Sequence, residues 1–186
     1  MVAVRGFRVP ARHEPRGRLH GARGEFVLSV RPPASKVLSL GDAVAWRAAA
    51  GRVAFTNGVF DLLHPGHVDL LLAARATADA LVVGINSDDS VRRLKGAGRP
   101  VRSEADRAYL LAALECVDAV VIFPEDTPLA IIRALHPDVL IKGGDYAPAD
   151  VVGRSEVEGW GGRLVIVPLS PGHSTTATIE SLRDRN

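Results

Sequence analysis

The sequence predicts an α/β domain of the doubly wound kind, a parallel sheet covered by helices on both faces. Two observations carry that reading. Short apolar segments alternate with helical periodicity five times from residue 38 onward. Most of those segments are apolar at every position, and such strands need cover on both faces, which crossover helices supply. A third observation points to function: the polar and glycine-rich clusters follow the strands. Doubly wound sheets bind ligands beyond the carboxyl ends of their strands, where the strand order reverses.

Ser39-Leu40-Gly41-Asp42 starts a helix that runs to Ala50 and stops at Gly51. Val53-Ala54-Phe55 is a short strand. His67 to Ala78 has helical spacing through Val68, Leu71 and Leu72, and Ala80 to Ile85 reads as a fully buried strand. Ser103 caps a helix that extends to Leu114, with Asp106 at the capping-box position. Val117 to Phe123 is a strand, Pro128 to Leu135 a helix and Val139 to Ile141 a strand. Val151 to Trp160 is helical, Leu164 to Val167 a strand, and Thr175 to Arg183 a closing helix. The expected sheet therefore has five parallel strands, and no internal repeat interrupts the pattern.

Composition bounds the rest. A length of 186 residues with 47% hydrophobic residues fits one domain with surplus chain. No apolar run approaches the roughly 20 residues of a membrane span. The single cysteine, Cys116, excludes a disulfide framework and a cysteine-based zinc site. The net charge is +2, yet residues 1–35 hold seven arginines against two acids, leaving the remainder with a balance of −3. The basicity belongs to the leader, so the body is not expected to bind nucleic acid. That leader has no sustained period and little to bury; it is expected to be a disordered, dispensable extension, with Pro32-Pro33 marking the boundary and the domain running over 36–186. It lacks the clean amphipathic face of a transit peptide and the apolar core of a secretory signal, so the expected location is cytoplasmic.

Four clusters fall on the expected rim. They are Thr56-Asn57-Gly58-Val59-Phe60-Asp61 with His64-Pro65-Gly66-His67; Asn86-Ser87-Asp88-Asp89 with Arg92-Arg93-Leu94-Lys95-Gly96; Lys142-Gly143-Gly144-Asp145-Tyr146; and Pro171-Gly172-His173-Ser174-Thr175-Thr176. In the first, Pro65 fixes entry into a helix and Gly66 allows close approach to the backbone. His67 then sits in the first helical turn, where backbone N–H groups and the helix dipole attract anions. A capping turn or half of a metal site are the competing readings, but no third ligand stands at a useful spacing, and no protein metal site is expected. Ser174-Thr175-Thr176 opens the last expected helix, as an ordinary N-cap or a second anion site. Only three of 23 basic residues are lysines, at 36, 95 and 142, and two of them lie in rim clusters, where a compact point charge suits a polyphosphate. Arg107 reads either as a solvated charge or as a phosphate clamp.

The run Thr56-Asn57-Gly58-x-Phe60-Asp61-x-x-His64-x-Gly66-His67 resembles the first motif of the HxGH nucleotidyltransferase (cytidylyltransferase-like) superfamily, whose domains are Rossmann-like. Ser174-Thr175-Thr176 resembles its second motif. Arg93-Leu94-Lys95-Gly96, Arg99-Pro100-Val101 and above all Lys142-Gly143-Gly144-Asp145-Tyr146 are similar to one branch, the D-glycero-β-D-manno-heptose 1-phosphate adenylyltransferases. The resemblance covers about residues 38–186 in order. In many bacteria such a domain follows a sugar kinase; here the resemblance is to the stand-alone transferase. Val59 stands where a cysteine is common, and His173 precedes the second motif where other residues are usual.

The resemblance implies that ATP and a heptose 1-phosphate give ADP-heptose and pyrophosphate, with Mg²⁺, in lipopolysaccharide core or related glycan assembly. The attacking sugar phosphate is already ionised, so no general base is needed; the site must supply position and positive charge. Catalytic roles accordingly go to His64 and His67 at the triphosphate and to Lys95 at the leaving pyrophosphate. Thr56, Asn57, Gly58 and Phe60 are expected to line the nucleotide, Gly144 and Asp145 to lie beside the adenosine, and Ser174, Thr175 and Thr176 to hold the β- and γ-phosphates. Lys142 is expected near the nucleotide or the sugar phosphate, and Asp61 to touch substrate or cap its turn. Competing expectations are a cytidylyltransferase acting on an acceptor such as glycerol 3-phosphate, a non-catalytic nucleotide-binding module, and a fragment of an aminoacyl-tRNA synthetase. The Lys-Gly-Gly-Asp-Tyr run, the intact histidine pair and the absence of a second lysine-rich signature argue against each in turn. The oligomeric state is open, a homo-oligomer included.

Overall fold

The computed structural model describes residues 31–144 and 146–168. The expected leader, apart from residues 31–35, and the expected closing helix lie outside these residues. Six described strands form one sheet: β1 (Val37–Leu38), β2 (Val53–Gly58), β3 (Ala80–Asn86), β4 (Ala119–Phe123), β5 (Val139–Gly143) and β6 (Arg163–Val167). Every pairing is parallel, in the order β1-β4-β3-β2-β5-β6. The chain therefore winds outward from β2 through β3 to β4, returns, and winds the other way through β5 to β6. The order reverses between β2 and β5, so their carboxyl ends flank the crevice.

The described helices are α1 (Leu40–Arg47), α2 (Pro65–Arg75), α3 (Asp88–Lys95), α4 (Glu104–Ala112), α5 (Leu129–Leu135) and α6 (Arg154–Gly159). Strand residues alternate between two cores. Ala54, Leu81, Val83, Ile85, Val120, Val139 and Ile141 pack against Leu70 and Leu71 of α2 and Leu111 of α4. Val53, Phe55, Val82, Val121 and Leu140 pack against Ala43 of α1, Ile131 and Ile132 of α5 and Val157 of α6. Burying each such Leu, Ile or Phe side chain is worth about 1.5–3 kcal/mol, which is why the uniformly apolar strands read correctly.

Two carboxylates fix the strand starts. Asp138 Oδ2 accepts from Val53 N at 2.7 Å and from Arg47 Nη2 at 2.8 Å. Asp118 Oδ2 accepts from Leu81 N at 2.9 Å and pairs with Arg75 Nε at 3.1 Å.

The structure departs from the sequence expectation in two elements. The sheet has six strands, because Val37 and Leu38 pair with Val120 and Val121, and two residues are too few to leave a pattern. Residues 88–95, expected as a loop cluster, form α3. That helix has only Ser90 and Val91 buried, so it has almost no apolar stripe to read. Its start is set instead by Ser87, whose side chain accepts from Ser90 N, and its acidic first turn and basic last turn both match the helix dipole.

Candidate active site

A cleft of about 470 Å³ opens over the carboxyl ends of β2 to β5, at the reversal of strand order. Asn57, Gly58, Phe60, His67, Lys95 and Lys142, all expected in the site, line it. They come from the end of β2, the start of α2, the last turn of α3 and the end of β5.

His64 is the N-cap residue of α2, with extended backbone, and Pro65 occupies the first helical position, where its fixed φ and missing N–H cost nothing. The N–H groups of His67 and Val68 are taken by the His64 carbonyl, so Gly66 supplies the N–H at the mouth of the helix. One helical turn brings the two imidazoles together, stacked with 3.7 Å between centroids and 17° between planes. Phe60 closes the other side, its ring centroid 5.1 Å from that of His67. Burial, with the charge of His64 as a smaller contribution, pushes the His67 imidazole down to about 4, while the Leu62 backbone pulls weakly the other way. His67 is therefore neutral at pH 7 in the open cleft, with a hydrogen bond to the Leu62 backbone.

Phe60 has a left-handed backbone, φ 47°, which a bulky residue adopts only when its surroundings hold it there. The bend turns its ring back over Gly58, where a Cβ would stand only 3.1 Å from the ring edge. Gly144 also needs its lack of a side chain, at φ 123°, and its N–H donates to Val167 O at 3.0 Å, closing the turn after β5. Lys142 lies just before that turn with Nζ 5.1 Å from the centroid of the Tyr146 ring. Burial pushes its ammonium below the ordinary lysine value. An ammonium held by an aromatic face rather than a carboxylate keeps its charge available to an anion.

Three expected contact residues serve the cleft from behind its wall. Arg107 is 1% exposed, which corrects the reading of a solvated charge. It is not placed to clamp a phosphate either, because its guanidinium donates to Val59 O at 2.6 Å, Asn86 O at 2.8 Å, Arg102 O at 3.2 Å and Asp88 Oδ1 at 2.8 Å. It ties the β2 loop, the end of β3 and the start of α3 into one piece. Asp61, also buried, accepts from Arg99 Nε at 2.7 Å, Val101 N at 2.8 Å and Arg102 N at 3.0 Å. Although its burial opposes ionisation, these donors hold its carboxyl below the usual range. It caps its turn and pins the 99–102 segment. Thr56 is buried within β2, and its hydroxyl has no hydrogen-bond partner among the described residues. Asp145, Ser174, Thr175 and Thr176 lie outside the described residues.

The sequence reading missed one wall. Asp126, Thr127 and Pro128 line the cleft after β4, as do Asp150, Val151 and Val152 before α6; Asn86, the last residue of β3 and part of an expected rim cluster, lines it beside them. The β4 loop follows a strand just as the recognised clusters do, so the same rule would have found it; its lack of glycine and histidine hid it. Among the described residues no three His, Cys, Asp or Glu side chains converge as a metal site, and no described helix is long and apolar enough to cross a membrane.

Comparison with known proteins agrees with this geometry. The family model described as cytidylyltransferase-like matches residues 55–176. The bifunctional protein HldE of Acidiphilium cryptum is 62% identical over 141 residues, 76% of this chain and 29% of that protein. HldE of Rhodopseudomonas palustris (strain BisB18) is 53% identical over 166 residues, 84% of this chain and 34% of that protein. The chain thus spans about a third of the length of these relatives. A lipopolysaccharide core biosynthesis protein from Thermoplasma volcanium aligns with TM-score 0.53 and 27% identity over 64% of this chain and 97% of that one. Pantoate-beta-alanine ligase from Francisella tularensis shares the fold, with TM-score 0.55 and 13% identity over 75% of this chain and 68% of that one.

Proposed function

The chain belongs to the cytidylyltransferase-like family, and we propose that it transfers AMP from ATP to a heptose 1-phosphate, giving ADP-heptose and pyrophosphate. The observation that carries this reading is the stacked His64–His67 pair at the start of α2, whose His67 lines the cleft at the strand reversal together with Lys95 and Lys142. High identity to HldE proteins supports the sugar-nucleotide assignment, and likeness to a lipopolysaccharide core biosynthesis protein supports a role in surface-glycan assembly.

A phosphate oxygen of the sugar phosphate attacks the α-phosphorus of ATP, and the bond to the β-phosphate bridging oxygen breaks in line with it. The attacking oxygen is already ionised, so the residues need only orient and stabilise. Asn57, Gly58 and Phe60 present backbone to the nucleotide, and the small Gly58 permits close approach. His67, fixed by two ring contacts, donates to the oxygen on which charge builds once the phosphates draw a proton onto its second ring nitrogen. His64 holds the His67 ring plane and adds its own dipole to the triphosphate. Lys95 neutralises the departing pyrophosphate, and Lys142 supplies a charge at the β5 end. Gly144 and Asp145 lie beside the adenosine, and Ser174, Thr175 and Thr176 complete the triphosphate site.

The carboxylates among the described lining residues are Asp126 and Asp150, too few to cage a hard cation. Mg²⁺ would therefore enter with the ATP, Asp126 and Asp150 being the lining carboxylates that could help to hold it, and when bound would supply positive charge at the leaving group. ATP as co-substrate supports a cytoplasmic reaction.

A matrix of ATP and CTP against heptose 1-phosphate and glycerol 3-phosphate, read as pyrophosphate release, tests the reading. ATP with heptose 1-phosphate is the expected productive pair; turnover with CTP and glycerol 3-phosphate alone refutes it.

A further inference from the structure

We propose that the β4–α5 loop, through Asp126 and Thr127 with Asn86 beside them, reads the hydroxyl groups of the acceptor sugar and sets acceptor specificity. The inference rests on the adenylyltransferase reading above and adds to it the sugar's place and its recognition.

The cleft has two flanks about the β2 end. The residues that the reading gives to the nucleotide come from β2, the start of α2, the end of α3 and the chain after β5. The ends of β3 and β4 add a carboxylate that phosphate oxygens avoid, so the hydroxyl-bearing part of the acceptor, rather than the triphosphate, belongs against that wall. The groups there differ in kind from the cations around the histidines. They are an amide, a carboxylate and a hydroxyl, with the Pro128 ring beside them.

The loop is built to hold its carboxylate. Asp126 Oδ1 takes Arg93 Nε at 3.0 Å, Arg93 Nη2 at 2.7 Å and Ser90 Oγ at 3.2 Å. Oδ2 takes no hydrogen bond from the described residues, while the side chain stands 47% exposed on the cleft wall. The Arg93 pairing keeps the carboxyl ionised, hence an acceptor only, which suits sugar O–H donors and repels phosphate oxygens. Asn86, 4% exposed, spends its amide N–H groups on Ser90 Oγ at 3.1 Å and Glu125 O at 3.3 Å. Its amide oxygen is the atom left for a ligand. Thr127 is exposed at the cleft edge, and among the described residues no side-chain hydrogen bond commits its hydroxyl elsewhere. A phosphate-avoiding, donor-seeking wall of this kind fits a neutral polyol.

Steady-state kinetics on the full chain test this, with ATP, heptose 1-phosphate and the same sugar phosphate lacking single hydroxyls. Thr127→Val keeps the volume, and Asp126→Asn keeps the shape. Losing a hydrogen bond to a neutral group is expected to raise the acceptor KM roughly 3–10-fold, and to a charged group roughly 10–100-fold. The KM for ATP should stay within about twofold in both variants. Wild type should discriminate against one deoxy acceptor, and the matching variant should lose that discrimination, which a merely structural defect does not do. Unchanged acceptor KM, or a rise confined to ATP, overturns the assignment with the adenylyltransferase reading intact. A wild-type chain that binds ATP yet releases no pyrophosphate with heptose 1-phosphate overturns that reading, and this assignment with it.

Discussion

The imidazoles of His64 and His67 stack at 3.7 Å between centroids, one helical turn apart at the mouth of α2. Burial, with the charge of His64 as a smaller contribution, keeps His67 neutral. Replacing His67 with Ala removes the imidazole that the proposed mechanism sets at the developing charge. We expect kcat to fall roughly 10²–10³-fold, with KM for ATP changed much less. Normal turnover in a folded variant would remove His67 from the mechanism.

The same residue sets an acid limit on stability. Its ordinary value of 6.5 is pushed to about 4 in the folded chain, so between those values the unfolded chain binds more protons. Stability is fully present above pH 6.5 and declines as pH falls toward 4. Chemical denaturation at pH 7 and pH 5 should show the loss in wild type and a smaller loss in His67→Gln.

Lys142 gives the complementary alkaline limit. Burial lowers its ammonium below 10.5, so its charge is lost at lower pH than that of an exposed lysine. Lys142→Met should raise KM for a phosphorylated substrate roughly 10–100-fold. Lys142→Arg should move the alkaline limb of the kcat/KM profile upward, and an unmoved limb would assign it to another group.

Arg107 tests the architecture rather than the chemistry. Removing it leaves the carbonyls of Val59, Asn86 and Arg102 and the Asp88 carboxylate without their shared donor. Arg107→Met should cost about 3–5 kcal/mol in urea denaturation. Lysine should rescue little, since one ammonium cannot reproduce the planar fork.

Truncation separates leader from domain. Removing residues 1–35 should leave activity intact, because Lys36, which donates to Leu114 O and Val117 O, and β1 both remain. Removing residues 1–38 also strips β1 from β4 and should lower the melting temperature by several degrees.

The fold was legible wherever packing writes a period into sequence. Fully apolar strands such as Leu81–Val82–Val83 announce a sheet buried on both faces, and turn residues such as Ser103 mark helix starts. α3 left no trace because charges and a cap, not an apolar face, hold it. In the site, the histidines, glycines and Lys142 were visible as unusual residue types at strand ends. Arg107 could not be placed from sequence, because a charged side chain looks the same whether it meets ligand or three carbonyls and a carboxylate, and for Asp61 the structure selects the turn cap from the two expected roles. Asp126 and Thr127 were missed because only their place after β4 distinguishes them from ordinary turn residues.

The central claim is nucleotidyl transfer at the α-phosphorus, and labelled ATP tests it most directly. With heptose 1-phosphate and ATP labelled at either the α- or the γ-phosphate, the account predicts α-label in the nucleotide sugar and γ-label in pyrophosphate. Label from the γ-position on the sugar, or no labelled sugar product at all, would contradict it.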